Sequence, residues 1–198
     1  MTDPLNPRLL AAVCHDLRGP LGAMGTWIHV LNSGRAKPET QTQALASIAA
    51  DVQALGALIE QMSLLGTALS EKEPMSLVRL DIVPLLQSAC SYTAEGSDVV
   101  VTFRADEASL CIQADSFQFQ TLARVLTSRA LTGCAGSRDL RLSRGKAHAE
   151  LAIETTGGAP RALSIALVRA LSETQGGSLV EETPGRSGLT LRFPLAVA

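Results

Sequence analysis

Apolar residues along the first third of the chain recur at helical spacing. Leu10, Cys14, Leu17, Leu21, Met24, Ile28 and Leu31 follow one another at alternating intervals of four and three, and Leu45, Ile48, Val52, Leu55, Ile59, Met62 and Leu65 repeat the pattern at intervals of three and four. A seam of this kind belongs to a helix packed in a bundle. Between the two series lies Asn32-Ser-Gly-Arg-Ala-Lys-Pro38, a turn with a glycine stop and a following proline. The pattern predicts a first helix running to about Asn32, capped by Thr2 or Asp3 with Pro4 or Pro7 in its opening turn. A second helix should start at Thr40 or Thr42 and fade near Ser70-Glu-Lys-Glu-Pro74. Ala11, Val13, Ala44, Ala49 and Leu58 flank the seams, which leaves more apolar surface than one hairpin buries. Pairing two hairpins into a four-helix bundle covers it, so a homodimer is expected.

Beyond a linker from Glu71 to Leu80 the period changes. Asp81 should cap a short helix through Cys90, and Val99–Phe103 and Leu110–Ile112 read as strands. Asp115 should cap a helix through Phe119, Leu122, Leu126 and Ala130. Leu140–Leu142 and Ala149–Ile153 form a hairpin, and Arg161 to Thr174 is a helix stopped by Gly176-Gly177. Ser178–Val180 and Gly188–Phe193 close the sheet around a Pro184-Gly185 turn. The fold class is therefore α+β: a helical hairpin over residues 1–72, then an α/β sandwich over 76–198 with helices on one face of a mixed sheet.

Composition narrows the partners. A net charge of -2 and 3% aromatic residues give no sign of nucleic-acid binding. Cys14, Cys90, Cys111 and Cys134 lack metal-ligand spacing and read as free thiols of a reducing cytoplasm. No apolar run reaches the roughly 20 residues of a membrane span, and no signal peptide is evident. The chain starts almost at its first helix, so it is expected to have no sensor of its own and no membrane contact.

The chemistry concentrates on the first helix. His15 sits one residue off the seam, so its ring should lie at the border of the buried stripe and reach solvent. Asp16 adjoins it, and Gly19, Gly22, Thr26 and His29 continue its face at the same spacing. The turns beside the imidazole thus carry almost no side chain. Each glycine in a helix costs about 1 kcal/mol relative to alanine, and Pro20 removes the hydrogen bond to the carbonyl of Asp16. A purely structural helix gains nothing from Gly19, Gly22, Gly25 and Pro20; a surface approached by another protein gains access to an imidazole. His29 lacks a neighbouring acid and reads as surface, as does His148. Thr156-Gly-Gly-Ala has no following lysine and does not make a P-loop.

His15-Asp-Leu-Arg-Gly-Pro-Leu21 resembles the H-box of sensor histidine kinases. The resemblance implies that His15 is the phospho-accepting residue of a dimerisation and histidine-phosphotransfer hairpin. The order of the later elements, with the closing Gly-Gly, Pro-Gly-Arg and Phe-Pro-Leu, resembles the ATP-binding domain of the same kinases. The nucleotide residues depart from that pattern. The two magnesium-site asparagines fall on Val125 and Arg129, neither of which suits a hard cation. The adenine-recognising Asp-x-Gly-x-Gly motif falls on Thr155–Ala159, the phosphate-side Gly-x-Gly on Ala162-Leu-Ser164, and the lid shrinks to Pro160 and Arg161. A reactive histidine beside a degenerate nucleotide domain is similar to the ChpT-type histidine phosphotransferases, which share the run seen here as Cys14-His15-Asp16.

The implied function is phosphorelay transfer. A receiver domain of a response regulator docks near Gly19, Gly22 and Thr26 and passes phosphoryl to His15, with Asp16 orienting the ring and Arg18 assisting. The group then moves to a second receiver. The partner supplies Mg²⁺, and this chain is expected to bind no cofactor or metal of its own. Kinases of this family that double as phosphatases often carry Thr or Asn where Gly19 stands, so transfer should outrun hydrolysis. A non-catalytic scaffold that binds a response regulator and, further off, an active kinase with an atypical pocket are the alternatives.

Overall fold

A computed structural model describes residues 7–68, 76–94, 99–128, 131, 136–156, 158, 160–180 and 188–196. The chain divides into two compact units, Met1–Leu64 and Leu65–Ala198. The expected cap at Thr2 or Asp3, the fade near Ser70–Pro74, Ala130 and the Pro184-Gly185 turn lie outside the described residues.

The first unit is a helical hairpin. α1 runs Pro7–Asn32 and continues unbroken through Pro20. Gly34, at φ +67°, ends the turn that folds the chain back, and this left-handed conformation favours glycine. α2 runs Pro38–Ala68, starting a little before the expected threonines. Proline suits a first helical position because that N–H has no partner within the helix.

The hairpin covers only part of the periodic seam: Leu65 is buried, and Leu17, Met24, Leu31, Ile48 and Leu55 are half-buried. Val13, Ala44 and Leu58, expected only to flank it, are buried, whereas Leu10, Cys14, Leu21 and Ile28 are exposed. On α2, Leu45, Val52 and Ile59 stand seven residues apart and are 60%, 55% and 62% exposed. Small and branched residues sit inside a single hairpin, and the larger stripe stays open on both helices. The same apolar richness bears on the membrane expectation without overturning it. By length and composition α2 qualifies as a helix able to cross a bilayer. Its polar residues are scattered, so the criterion of an uninterrupted run missed it.

The second unit begins with a correction. Leu77 to Leu80, assigned to the linker, form with Asp81 a strand, β1 (Leu77–Asp81), paired antiparallel with β3 (Cys111–Asp115). Its inward residues are too few to give an alternating pattern. α3 follows at Ile82–Ala94, and Asp81 caps it as expected: its Oδ1 accepts from the N–H groups of Val83 and Leu110, each at 3.1 Å. α4 (Ser116–Thr127) is capped by Asp115, which accepts from Phe117 and Gln118.

The main sheet has five strands in the order β2-β4-β5-β7-β6. These are β2 (Val99–Ala105), β4 (Gly136–Arg144), β5 (His148–Thr155), β6 (Ser178–Val180) and β7 (Gly188–Pro194). β2 lies parallel to β4 and the other pairs are antiparallel. α5 (Ala162–Glu173) precedes β6. Alternate residues of the central strands, Leu140 and Leu142, Leu151 and Ile153, Leu191 and Phe193, are buried together with Phe119, Leu122, Leu126 and Leu167 of α4 and α5. Phe119 meets Phe193 edge to face at 5.7 Å. A Cβ on Gly177 would stand 2.5 Å from the Phe193 ring, which is why the chain leaving α5 needs glycine there.

Asp81 carries a stability prediction. Burial raises its pKa, but hydrogen bonds from the Ser109 side chain and the Leu110 and Val83 amides outweigh this, and the net value lies below the ordinary 3.8. A depressed folded-state pKa contributes stability that is present above about pH 4 and lost as pH falls through the folded value. Asp81→Ala is expected to destabilise the protein by about 1–2 kcal/mol at pH 7 and by less near pH 3, read by urea unfolding at both pH values. A pH-independent loss would assign the effect to packing.

Candidate functional site

His15 lies in the third turn of α1, with its side chain 88% exposed. Its Nδ1 stands 3.5 Å from Oδ1 of Asp16, whose own side chain is 22% exposed. The acid therefore sits on the Nδ1 side of the ring, and Nε2 is the pole that faces away from it. A carboxylate on one ring nitrogen favours the tautomer protonated there and leaves the other nitrogen its lone pair. The expectation that the ring reaches solvent agrees with this placement.

The other residues of the face are exposed as well: Arg18, Gly19, Gly22, Thr26 and His29. Thr26 donates its hydroxyl back to the carbonyl of Gly22 at 3.0 Å. A Cβ built on Gly19, Gly22 or Gly25 meets nothing within 4 Å. No packing within the chain demands glycine at these places. Gly19→Ala and Gly22→Ala should each stabilise the helix by about 1 kcal/mol, measured by thermal unfolding, while slowing any reaction that needs close approach of a partner to His15. A stabilised variant with unchanged transfer would remove the approach-surface role.

The residues aligned with nucleotide recognition lie in the second unit. Val125 is buried on α4, and Arg129, Gly157 and Ala159 lie outside the described residues. Thr155, at the end of β5, is buried and donates to the carbonyl of Gly158 at 3.1 Å. Arg161 is the N-cap residue of α5 and makes no side-chain capping bond. Ser164 is fully buried in that helix's first turn. Among the described residues no group of three or more His, Cys, Asp or Glu side chains gathers as a metal site. Cys90 is buried, which pushes its thiol up to about 11, while Cys14 is exposed beside His15.

Sequence reading missed Arg138. It lies on the buried face of β4, in alternation with Leu140 and Leu142, and is itself fully buried. The period-two pattern was there to see, but a charged residue does not register as a core position.

Comparison with known proteins follows this geometry. Residues 6–71 match the His Kinase A (phospho-acceptor) domain. The fold matches the Acinetobacter baumannii histidine kinase AdeS with a TM-score of 0.62 at 17% identity, covering 92% of this chain and 98% of that one. The chain has the fold of a histidine kinase. It also matches histidine kinase ThkA, solved in complex with the response regulator protein TrrA, with a TM-score of 0.68 at 17% identity over 96% of this chain and 62% of that one. The second unit's likeness extends to the ATP binding domain of PrrB from Mycobacterium tuberculosis, with a TM-score of 0.51, 22% identity, and coverage of 61% of this chain and 98% of that one. At these identities the structural matches establish the fold, and no curated protein matches the sequence. The chain thus has a hairpin that matches the phospho-acceptor domain, followed by a unit with the fold of histidine kinase ATP-binding domains.

Proposed function

We propose that this protein is a histidine phosphotransferase of a two-component phosphorelay, with His15 as the group that carries phosphoryl. The single observation behind the reading is an 88% exposed imidazole with a carboxylate at Nδ1, on a helix whose neighbouring turns are glycine. A response regulator's receiver domain fits as partner, and the complex of ThkA with TrrA supports that choice.

In the proposed step the Nε2 lone pair attacks the phosphorus of a receiver's aspartyl phosphate. The new N–P bond forms as the acyl P–O bond breaks, and the donor aspartate leaves as carboxylate. His15 keeps its Nδ1 proton, so its ring becomes cationic, and Asp16 offsets that charge. The receiver's Mg²⁺ would neutralise the transferring group, and Arg18, exposed three residues on, adds a second positive charge. The reverse step delivers phosphoryl to a second receiver. With glycine at position 19, no side chain there can hold a hydrolytic water, so transfer should dominate.

The reading further proposes that the protein binds no ATP. The absence of acidic or amide side chains at Val125 and Thr155 supports it. A homodimer is proposed from the exposed seam on both helices, and a cytoplasmic site from the need to meet receivers. The ChpT-type resemblance favours the same role. The decisive experiment is incubation with purified phospho-receivers, following acid-labile label onto the wild-type protein and on to a second receiver. Calorimetry with Mg-ATP separates this reading from an active kinase, whose fold the second unit shares; binding would favour the kinase.

A further inference from the structure

Arg138 is the largest fully buried side chain among the described residues. A guanidinium taken out of water is costly unless its donors are satisfied, and the same face of β4 accepts leucine at positions 140 and 142. Shape alone would be met by an aliphatic residue. What the guanidinium adds is directed donors. Its Nη1 donates to the carbonyl of Ser137 at 3.1 Å and to that of Thr156 at 3.4 Å.

Those carbonyls belong to the last rungs of the β4–β5 ladder, where Arg138 stands directly across from Thr155. Ser137 and Thr156 are joined further. The Ser137 amide donates to Oγ1 of Thr156 at 2.9 Å, and the Thr156 amide donates to the Ser137 carbonyl at 3.0 Å. From there residues 156–161 connect β5 to α5. Thr155 ties to the Gly158 carbonyl, and the Arg161 amide donates to the carbonyl of Leu131 at 2.8 Å. Among the described residues, Thr156, Gly158 and Arg161 are each held by a hydrogen bond, the last to Leu131.

We propose that Arg138 is an internal strut that fixes Thr155 and Thr156, where the chain leaves β5, taking the part a bound ligand would otherwise play there. The inference rests on the reading above that this unit takes no nucleotide, since the resemblance places base recognition at Thr155–Ala159. It goes further in naming what organises the segment instead. A partner then meets a surface that is set in advance, and transfer at His15 is independent of nucleotide.

Hydrogen exchange on the full-length protein, resolved by peptide, tests the strut. In the wild type, peptides covering 155–161 should exchange slowly and be unchanged by millimolar Mg-ATP. Arg138→Lys keeps the charge but loses the planar fork, and Arg138→Ala empties the site. Both should exchange about tenfold or more faster across 155–161 while β5 residues 149–153 keep wild-type protection. Millimolar ethylguanidinium should restore slow exchange in Arg138→Ala. Wild-type exchange in Arg138→Lys overturns the strut alone, as does fast exchange of 155–161 in the wild type. Should Arg138→Ala fail to fold, those two readings still decide. Protection newly gained on adding Mg-ATP overturns both the strut and the nucleotide-free reading, whereas failure of His15 to take label leaves every exchange result untouched.

Discussion

Replacing His15 with alanine is expected to abolish acid-labile labelling of this protein by a phosphorylated receiver. In the proposed step the exposed imidazole of α1 is the nucleophile, and His29, on the same face, has no acid beside it to fix its tautomer. Asp16→Asn tests the orienting role separately. A hydrogen bond or ion contact to a charged group is worth about 1.5–3 kcal/mol, so its loss in the transition state should slow transfer roughly ten- to a hundredfold. Single-turnover rates with quench-flow and gel autoradiography read both variants. Label that persists on His15→Ala would move the chemistry to another residue, whereas a wild type that takes no label would favour the scaffold reading. An unaltered rate in Asp16→Asn would leave His15 as acceptor but remove Asp16 from its support.

The second large effect concerns assembly. Val52→Lys combined with Ile59→Lys should convert a dimer into a monomer. Both residues are more than half exposed in the single chain and stand on the heptad stripe that Leu45 begins. Burying each is worth about 1.5 kcal/mol at the low end, and each is lost twice across a twofold interface. The double variant therefore forfeits about 6 kcal/mol, roughly ten-thousandfold in Kd, before the repulsion of like charges is added. Light scattering behind size exclusion at micromolar concentration gives the answer. A wild type that elutes as a monomer would refute the bundle pairing. The second unit should keep its near-ultraviolet signal in the variant, because its core of Leu140, Leu151, Leu191 and Phe193 is its own.

Much of the local structure was legible because each element carries its own signal. Asp81 and Asp115 announced helix starts through the one side chain able to accept from free amides, and Gly34 and Gly176 announced turns through positive φ. β1 was not legible. Its Leu77 and Val78 stay largely exposed, and its identity as a strand comes from pairing with β3, some thirty residues further along the chain. Arg138 was illegible for a related reason. Burial of a charge depends on which carbonyls tertiary structure brings within reach, here those of Ser137 and Thr156.

The sequence by itself determined the candidate group and its setting: a histidine beside an acid, glycines on one helical face, and two seams of matching period. These are local, since a helix places residues three and four apart on one side whatever surrounds it. Tertiary structure decided which apolar residues go inside. It buried Val13, Ala44 and Leu58 and left the longer-range stripe of Leu45, Val52 and Ile59 open. Periodicity fixes the angle between two faces of a helix, but which face meets a neighbour depends on the turn that brings the neighbour back and on how closely small side chains let two helices approach.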